Sequence, residues 1–362
     1  RMRLCPAFAL LLAVALATGA AAAERSPIAM TTDGAISGGV EDGIQVFRGI
    51  PYAQAPTGDL RWHAPVAPAP WTGMRDATHF SANCPGAFPP GAMSEDCLYL
   101  NVWTAHSGKV KGKPKPVMVW IYGGGYRGGS SAMPLFDGSD LARKGVVFVS
   151  FNYRVGSLGF LALPELSKES PAGASGNYGI LDAIAALRWV KANIAAFGGD
   201  PGNVTIFGQS SGSETVNILT ASPLAKGLFQ KAIGESGSSF GVRAALPLAE
   251  AERLGGAFKR SRNAQNVAEL RRMPVDKILE LDSEKLEPNV DGWLLPQSVH
   301  AIYSAGKQND VPMLIGSNAQ EWGRPPEVSP ADLRAGIASE YGDLATEVEA
   351  LLGPADSVDS AT

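Results

Sequence analysis

Six short apolar runs constrain what this chain can fold into. They read LYLNVW (98–103), VMVWIY (117–122), VVFVSF (146–151), VTIF (204–207), KAIGE (231–235) and VPMLIG (311–316). Polar and apolar residues do not alternate in them, so each reads as a strand covered on both faces, the mark of a parallel sheet. Helical stretches lie between the runs. The clearest begins near Asn177, where Ile180, Ile184, Leu187, Val190, Ile194 and Phe197 recur at spacings of three and four and Gly198-Gly199 supplies a stop. Strand, helix, strand in this order predicts an α/β fold with crossover helices on a mostly parallel central sheet. With 362 residues, 45% of them hydrophobic, the chain can bury a large core. From Arg25 to Gly73, short extended pieces broken by Gly and Pro predict an antiparallel edge region. From Gly237 to about Asn309 the chain turns polar and helical, which reads as an inserted helical cap.

Charge and leader narrow the function classes. The net charge is -4, the pI is near 5.7, and the basic stretch Lys109 to Lys115 reads as a solvated loop, so no nucleic-acid footprint is present. Arg1 and Arg3 precede the apolar run Leu4 to Ala17, and Ala21 and Ala23 stand at the spacing of a signal-peptidase site. Residues 1–23 are therefore expected to be a signal peptide cleaved after Ala23, leaving residues 24–362 as one domain of a secreted or periplasmic protein. The competing reading, a retained membrane anchor, is disfavoured because the run is short and alanine-rich. Beyond the leader two cysteines remain, Cys84 and Cys97. In an exported protein such a pair reads as one disulfide, and no CxxC motif or nearby histidine cluster suggests metal or redox work.

The stretch FGGDPGNVTIFGQSSG (197–212) carries the chemistry. Gly208-Gln209-Ser210-Ser211-Gly212 has the form GxSxG, with a strand before it and a helix-compatible stretch after it. A strand that turns sharply into a helix strains its corner residue, and glycines two positions to either side let the chain pass closely. Such a corner presents its side chain at the C-terminal edge of the sheet, beside a helix N-terminus that favours developing negative charge. Ser210 is the candidate nucleophile.

The wider sequence resembles the type-B carboxylesterase family, which includes the carboxylesterases and cholinesterases. The nucleophile stretch is similar to that family's first signature and SEDCLYLNVW (94–103) to its second. FRGIPYAQAPTGDLRW (47–62), WIYGGGYRGG (120–129), NYRVGSLGFL (152–161) and GNYGILDAIAALRWVKANIAAFGGDP (176–201) resemble further blocks in the expected order, over roughly residues 27 to 325. The resemblance implies an α/β-hydrolase fold and hydrolysis of small-molecule carboxylic esters through an acyl-enzyme, with no cofactor. It implies an oxyanion hole formed by the N–H groups of Gly124, Gly125 and Ser211, where a single donor contributes roughly 3 kcal/mol to the transition state. Ser211 stands where the family often has alanine, and its small side chain is expected to matter little. GSNAQEWG (316–323) is similar to the loop carrying the family's orienting carboxylate, which points to Glu321. Cys84 and Cys97 match the family's first disulfide, and the tryptophan-free loop between them disfavours a choline ester. By the same similarity Arg61 and Glu95 form a structural ion pair and Ser236 supports the acid, while Asp182, by its place on the long helix, reads as structural.

One part of the family's pattern is absent. The four histidines are His63, His79, His106 and His300, and none follows Glu321, where the family's general base lies. His300 precedes the acid in the cap, and the other three precede the sheet core. A serine triad without its base loses on the order of a millionfold in turnover. The expectation is that these residues are the N-terminal part of a longer esterase, with the C-terminal part of the fold missing and the histidine supplied beyond the given chain. The alternative is a catalytically inactive carboxylesterase-like binding or adhesion protein, or an inactive truncated fragment.

Overall fold

The computed structural model describes residues 26–88, 91–105, 113–240, 245–280, 286–321 and 329–352. The expected signal peptide, the cut site at Ala23, His106 and most of the Lys109 to Lys115 run lie outside them.

Eight strands form the central sheet: β1 (Gly39–Glu41), β2 (Ile44–Pro51), β3 (Tyr99–Thr104), β4 (Lys115–Ile121), β5 (Val147–Phe151), β6 (Gly199–Gln209), β7 (Lys231–Glu235) and β8 (Met313–Gly316). Their order is β8-β7-β6-β4-β5-β3-β2-β1. The five strands from β8 to β5 are parallel to one another, and β3, β2 and β1 run antiparallel beyond them. All six apolar runs are strands. LYLNVW, however, contributes an antiparallel strand, because β3 lies inside the sheet between β2 and β5 and is covered on both faces whatever its direction. VPMLIG departs in the other sense: Leu314 and Ile315 of β8 are 66% and 70% exposed.

The long helix α1 (Tyr178–Asn193) runs on as a 3-10 turn to Phe197 and stops at Gly198, whose φ of 81° lies in the left-handed region glycine favours. Its expected stripe is buried from Ile180 to Phe197, together with Leu181, Ala183 and Trp189 on other faces. A short helix, α2 (Ser211–Ala221), follows β6 and is buried along its whole length.

The N-terminal edge region is a three-stranded sheet of Ile28–Met30, Ala35–Ser37 and Met74–Asp76, antiparallel then parallel. The stretch after Gly237 is helical as expected, with α3 (Leu248–Ser261) its longest piece. It also carries a small parallel pairing of Leu246–Pro247 with Asn289–Val290 that sequence periodicity is too short to reveal. Phe258, Leu270 and Ile278 bury this layer against the rest of the protein.

Two ion pairs lock the packing. Arg61 makes a bidentate contact with Glu95 at 2.7 and 2.5 Å, and its remaining nitrogen donates to the carbonyls of Leu270, Arg271 and Met273. Arg154 grips Asp182 of α1 at 2.8 and 2.7 Å in full burial. Removing one partner of such a pair leaves a lone buried charge, so both are structural requirements rather than surface ornaments.

Candidate active site

The strand order reverses at β4: the chain passes to β5 on one side and crosses to β6 on the other. Open α/β sheets place their clefts at the carboxyl ends of strands beside such a reversal. In register, Trp120 lies opposite Phe207 and Ile121 opposite Gly208, so the glycine turn after β4 and the serine corner after β6 leave the sheet side by side.

Ser210 sits at the corner with φ 56° and ψ -126°, a conformation costly for any residue with a side chain. Its N–H donates to the carbonyl of Glu235 at 2.9 Å, and its own carbonyl accepts from Glu214 N–H at 3.0 Å, opening α2. The flanking glycines are there for contact. A Cβ on Gly208 would come within 2.7 Å of Gly212, and one on Gly212 within 2.1 Å of the Ile121 carbonyl oxygen. A Cβ on Gly123 would stand 3.0 Å from that of Ser210.

The turn Tyr122-Gly123-Gly124-Gly125-Tyr126 faces this corner. Gly124, Gly125 and Tyr126 have φ of 127°, 60° and 59°. The Tyr126 N–H donates to Ser211 Oγ at 3.3 Å. Ser211 is fully buried at the first position of α2, so its hydroxyl has a place in the packing that a reading of its size alone misses.

The disulfide Cys84–Cys97 closes a loop that reaches this turn: Ala87 N–H donates to Arg127 O at 2.8 Å, and Gly129 N–H to Phe88 O at 2.7 Å.

Glu321 lies two strands along the same edge, after β8. Its Oε1 accepts from Ser236 Oγ and from Asn318 N–H, each at 2.6 Å. These donors, Ser236 first, hold the exposed carboxyl below the usual glutamate range. Ser236 has a φ of 51° and donates its N–H to Gly316 O at 2.8 Å. Next to it, Gly237 packs so tightly that a Cβ would meet the Ser210 carbonyl oxygen at 2.1 Å. Ser210 and the acid are thus joined through residues 235–237.

The described histidines are elsewhere. His63 is half exposed beside Glu169, 3.8 Å away, and its imidazole is pushed below its ordinary pKa by burial and then by the Arg271 charge. His79 is exposed beside Thr78. His300, on the short helix α4 (Val299–Ser304), is exposed and edge-on to Phe240 at 6.4 Å. Among the described residues no histidine hydrogen-bonds Ser210 or Glu321, and no group of three or more His, Cys, Asp or Glu could hold a metal ion. No described helix is long and apolar enough to cross a membrane.

A strand-to-helix serine corner facing a glycine turn, on an eight-stranded mixed sheet, defines the α/β-hydrolase class. Two solved p-nitrobenzyl esterases share this fold, one of them thermophilic. Their TM-scores are both 0.79 at 35% and 34% identity, covering 91% and 92% of this chain and 73% and 72% of theirs. Residues 25–336 match the carboxylesterase family, and the chain belongs to it. It is 41% identical to the fumonisin B1 esterase of Sphingopyxis macrogoltabida over 92% of this chain and 64% of that protein. With the para-nitrobenzyl esterase of Bacillus subtilis the identity is 37%, over 81% and 63%. With the cholinesterase of Mus musculus it is 39%, over 77% and 50%. The chain therefore spans less than two thirds of the length of these relatives.

Proposed function

We propose that the protein is an exported serine carboxylesterase that hydrolyses small-molecule carboxylic esters through an acyl-enzyme on Ser210. The observation that carries this reading is the strained, half-buried Ser210 held against the glycine turn, an arrangement with no structural need for a hydroxyl. The Ser210 oxygen attacks the ester carbonyl, and its proton passes to a base. The carbonyl oxygen takes the negative charge and is met by the N–H groups of Gly124, Gly125 and Ser211. Collapse expels the alcohol, which receives the proton from the base, and water then repeats the sequence to release the acid. Neither cofactor nor metal enters this chemistry.

Glu321 orients the base in this scheme. Both its bonds fall on Oε1, which leaves Oε2 for an imidazole N–H. Adjacent strands are about 4.8 Å apart, so the ends of β6 and β8 are separated by about 10 Å, room for one imidazole between serine and acid. The positions of His63, His79 and His300 do not suit that role and His106 precedes Ser210 and Glu321 in the chain, against the serine, acid, histidine order of this fold, so the proposal assigns the base to a histidine outside residues 1–362. Export rests on the leader at residues 1–23, and the Cys84–Cys97 disulfide suits an oxidising compartment.

The test is p-nitrophenyl ester hydrolysis and fluorophosphonate labelling by the product of the gene read through beyond the codon for Thr362. Hydrolysis that Ser210→Ala and Glu321→Ala both abolish, with label on Ser210, is expected. A folded product that neither hydrolyses nor labels would overturn the reading in favour of a binding relative. Equal turnover by residues 24–362 alone would overturn the assignment of the base.

A further inference from the structure

We infer that the side-chain hydroxyl of Ser211, together with that of Tyr153, clamps both ends of the Tyr122–Tyr126 glycine turn and so positions the oxyanion donors. Each end of the turn has one hydroxyl partner. At the first end, Tyr153 Oη donates to the Tyr122 carbonyl at 2.7 Å. At the second, Ser211 Oγ accepts the Tyr126 N–H at 3.3 Å. The two bonds act at opposite ends of the turn: Tyr126 N–H donates to Ser211 Oγ, and Tyr153 O–H to the Tyr122 carbonyl. Both residues are buried, at 0% and 1% exposure, so losing either hydroxyl strands its backbone partner in the turn without water to replace it.

The surroundings leave the turn in need of such a clamp. Its last three residues all have positive φ, Tyr126 among them, and a non-glycine residue there persists only when held. The Tyr122 and Tyr153 rings stack at 4.4 Å, and Tyr153 N–H donates to Tyr122 Oη at 3.2 Å, so Tyr153 is fixed from both directions. Ser211 then contributes twice: its backbone N–H is one donor of the proposed hole, and its side chain aligns the turn carrying the other two. It is a positioning residue through that side chain.

The clamp itself stands on geometry, while its catalytic consequence rests on the esterase reading, and two experiments separate them. In the 362-residue chain, hydrogen exchange is followed at the amides of Gly123 to Tyr126 in Ser211→Ala, Tyr153→Phe and the double variant. Each single change is expected to speed exchange about tenfold, the scale of one lost hydrogen bond, and the double variant is expected to exchange faster than either because the two bonds hold opposite ends of the turn. Ser211→Thr, which keeps the hydroxyl, should restore slow exchange. Rates within twofold of the parent in both single variants, or a double variant no faster than the slower single one, would overturn the clamp. In the product of the full gene, Ser211→Ala should lower kcat about tenfold with KM within twofold, and weaken a trifluoromethyl ketone by the same factor. Fast exchange with kcat unchanged would sink the positioning role while leaving the clamp. An inactive parent with slow exchange would sink the esterase reading alone.

Discussion

At the end of β6 the chain is packed closely against neighbouring backbone, whereas at the end of β8, among the described residues, it is held mainly by hydrogen bonds. Gly208, Gly212 and Gly237 each lie so close to neighbouring main chain that no Cβ fits. Around Glu321, by contrast, Leu314 and Ile315 are largely exposed, Gly316 has open space about its Cα, and two donors fix the carboxylate. The nucleophile's position follows from excluded volume, which tolerates almost nothing. The acid's position follows from polar contacts, which yield gradually. One family of substitutions should therefore behave in opposite ways at the two strand ends.

Alanine scanning of the glycines is the harshest way to break that contrast. Gly212→Ala puts a methyl 2.1 Å from Ile121 O and 2.9 Å from Tyr122 O, and should cost about 4 kcal/mol or more, read as urea unfolding. Gly316→Ala meets nothing within 4 Å and should shift stability by no more than about 0.5 kcal/mol. Comparable losses at both positions would mean that the β8 end is as tightly built as the β6 end.

Removal of the disulfide comes next in size. With Cys84 and Cys97 separated by 13 positions in the sequence, loss of the disulfide as a paired alanine substitution should cost about 3 kcal/mol by the loop-entropy argument. The loop it closes is hydrogen-bonded to residues 127 and 129, so hydrogen exchange should quicken at Gly128 and Gly129. The pairing of β7 with β8 lies on the far side of the corner and should exchange at its former rate. Faster exchange at both places would show that the two halves unfold as one unit.

Much of this contrast was already legible in the sequence, for a physical reason. Runs such as VVFVSF and VTIF are apolar without alternation because their strands are covered on both faces, and GQSSG needs its glycines because backbone passes on both sides. Strand direction leaves no such trace, which is why LYLNVW reads like its parallel neighbours although β3 is antiparallel. Exposure leaves little trace either: Leu314 and Ile315 look like core residues in a string and become so only if something covers them. The expectation for Ser211 considers its size alone, and the structure adds a hydrogen bond from the Tyr126 N–H to its hydroxyl. The signal available was a polar residue where a small apolar one would fill the space. Tyr126, whose N–H that hydroxyl accepts, is far from it in sequence and meets it only through the fold.

The gentlest test concerns the acid. Ser236 donates the bond that contributes most to lowering the Glu321 pKa, and Asn318 N–H contributes next. A carboxylate whose folded pKa is depressed adds its stabilisation in full above the unfolded-state pKa and loses it as pH falls through the folded one. Ser236→Ala should therefore raise the Glu321 titration toward the ordinary glutamate range, seen as an upward shift of its carboxyl carbon midpoint in NMR. The variant should differ from the parent in stability most at neutral pH and least in acid. In the proposed mechanism the acidic limb of the hydrolysis profile should move up in pH with it, since the acid would lose its charge sooner. A midpoint left in place would mean that Asn318 alone sets the carboxylate. The acid would then be governed by its own loop after β8, with no electrostatic tie to the corner that holds Ser210.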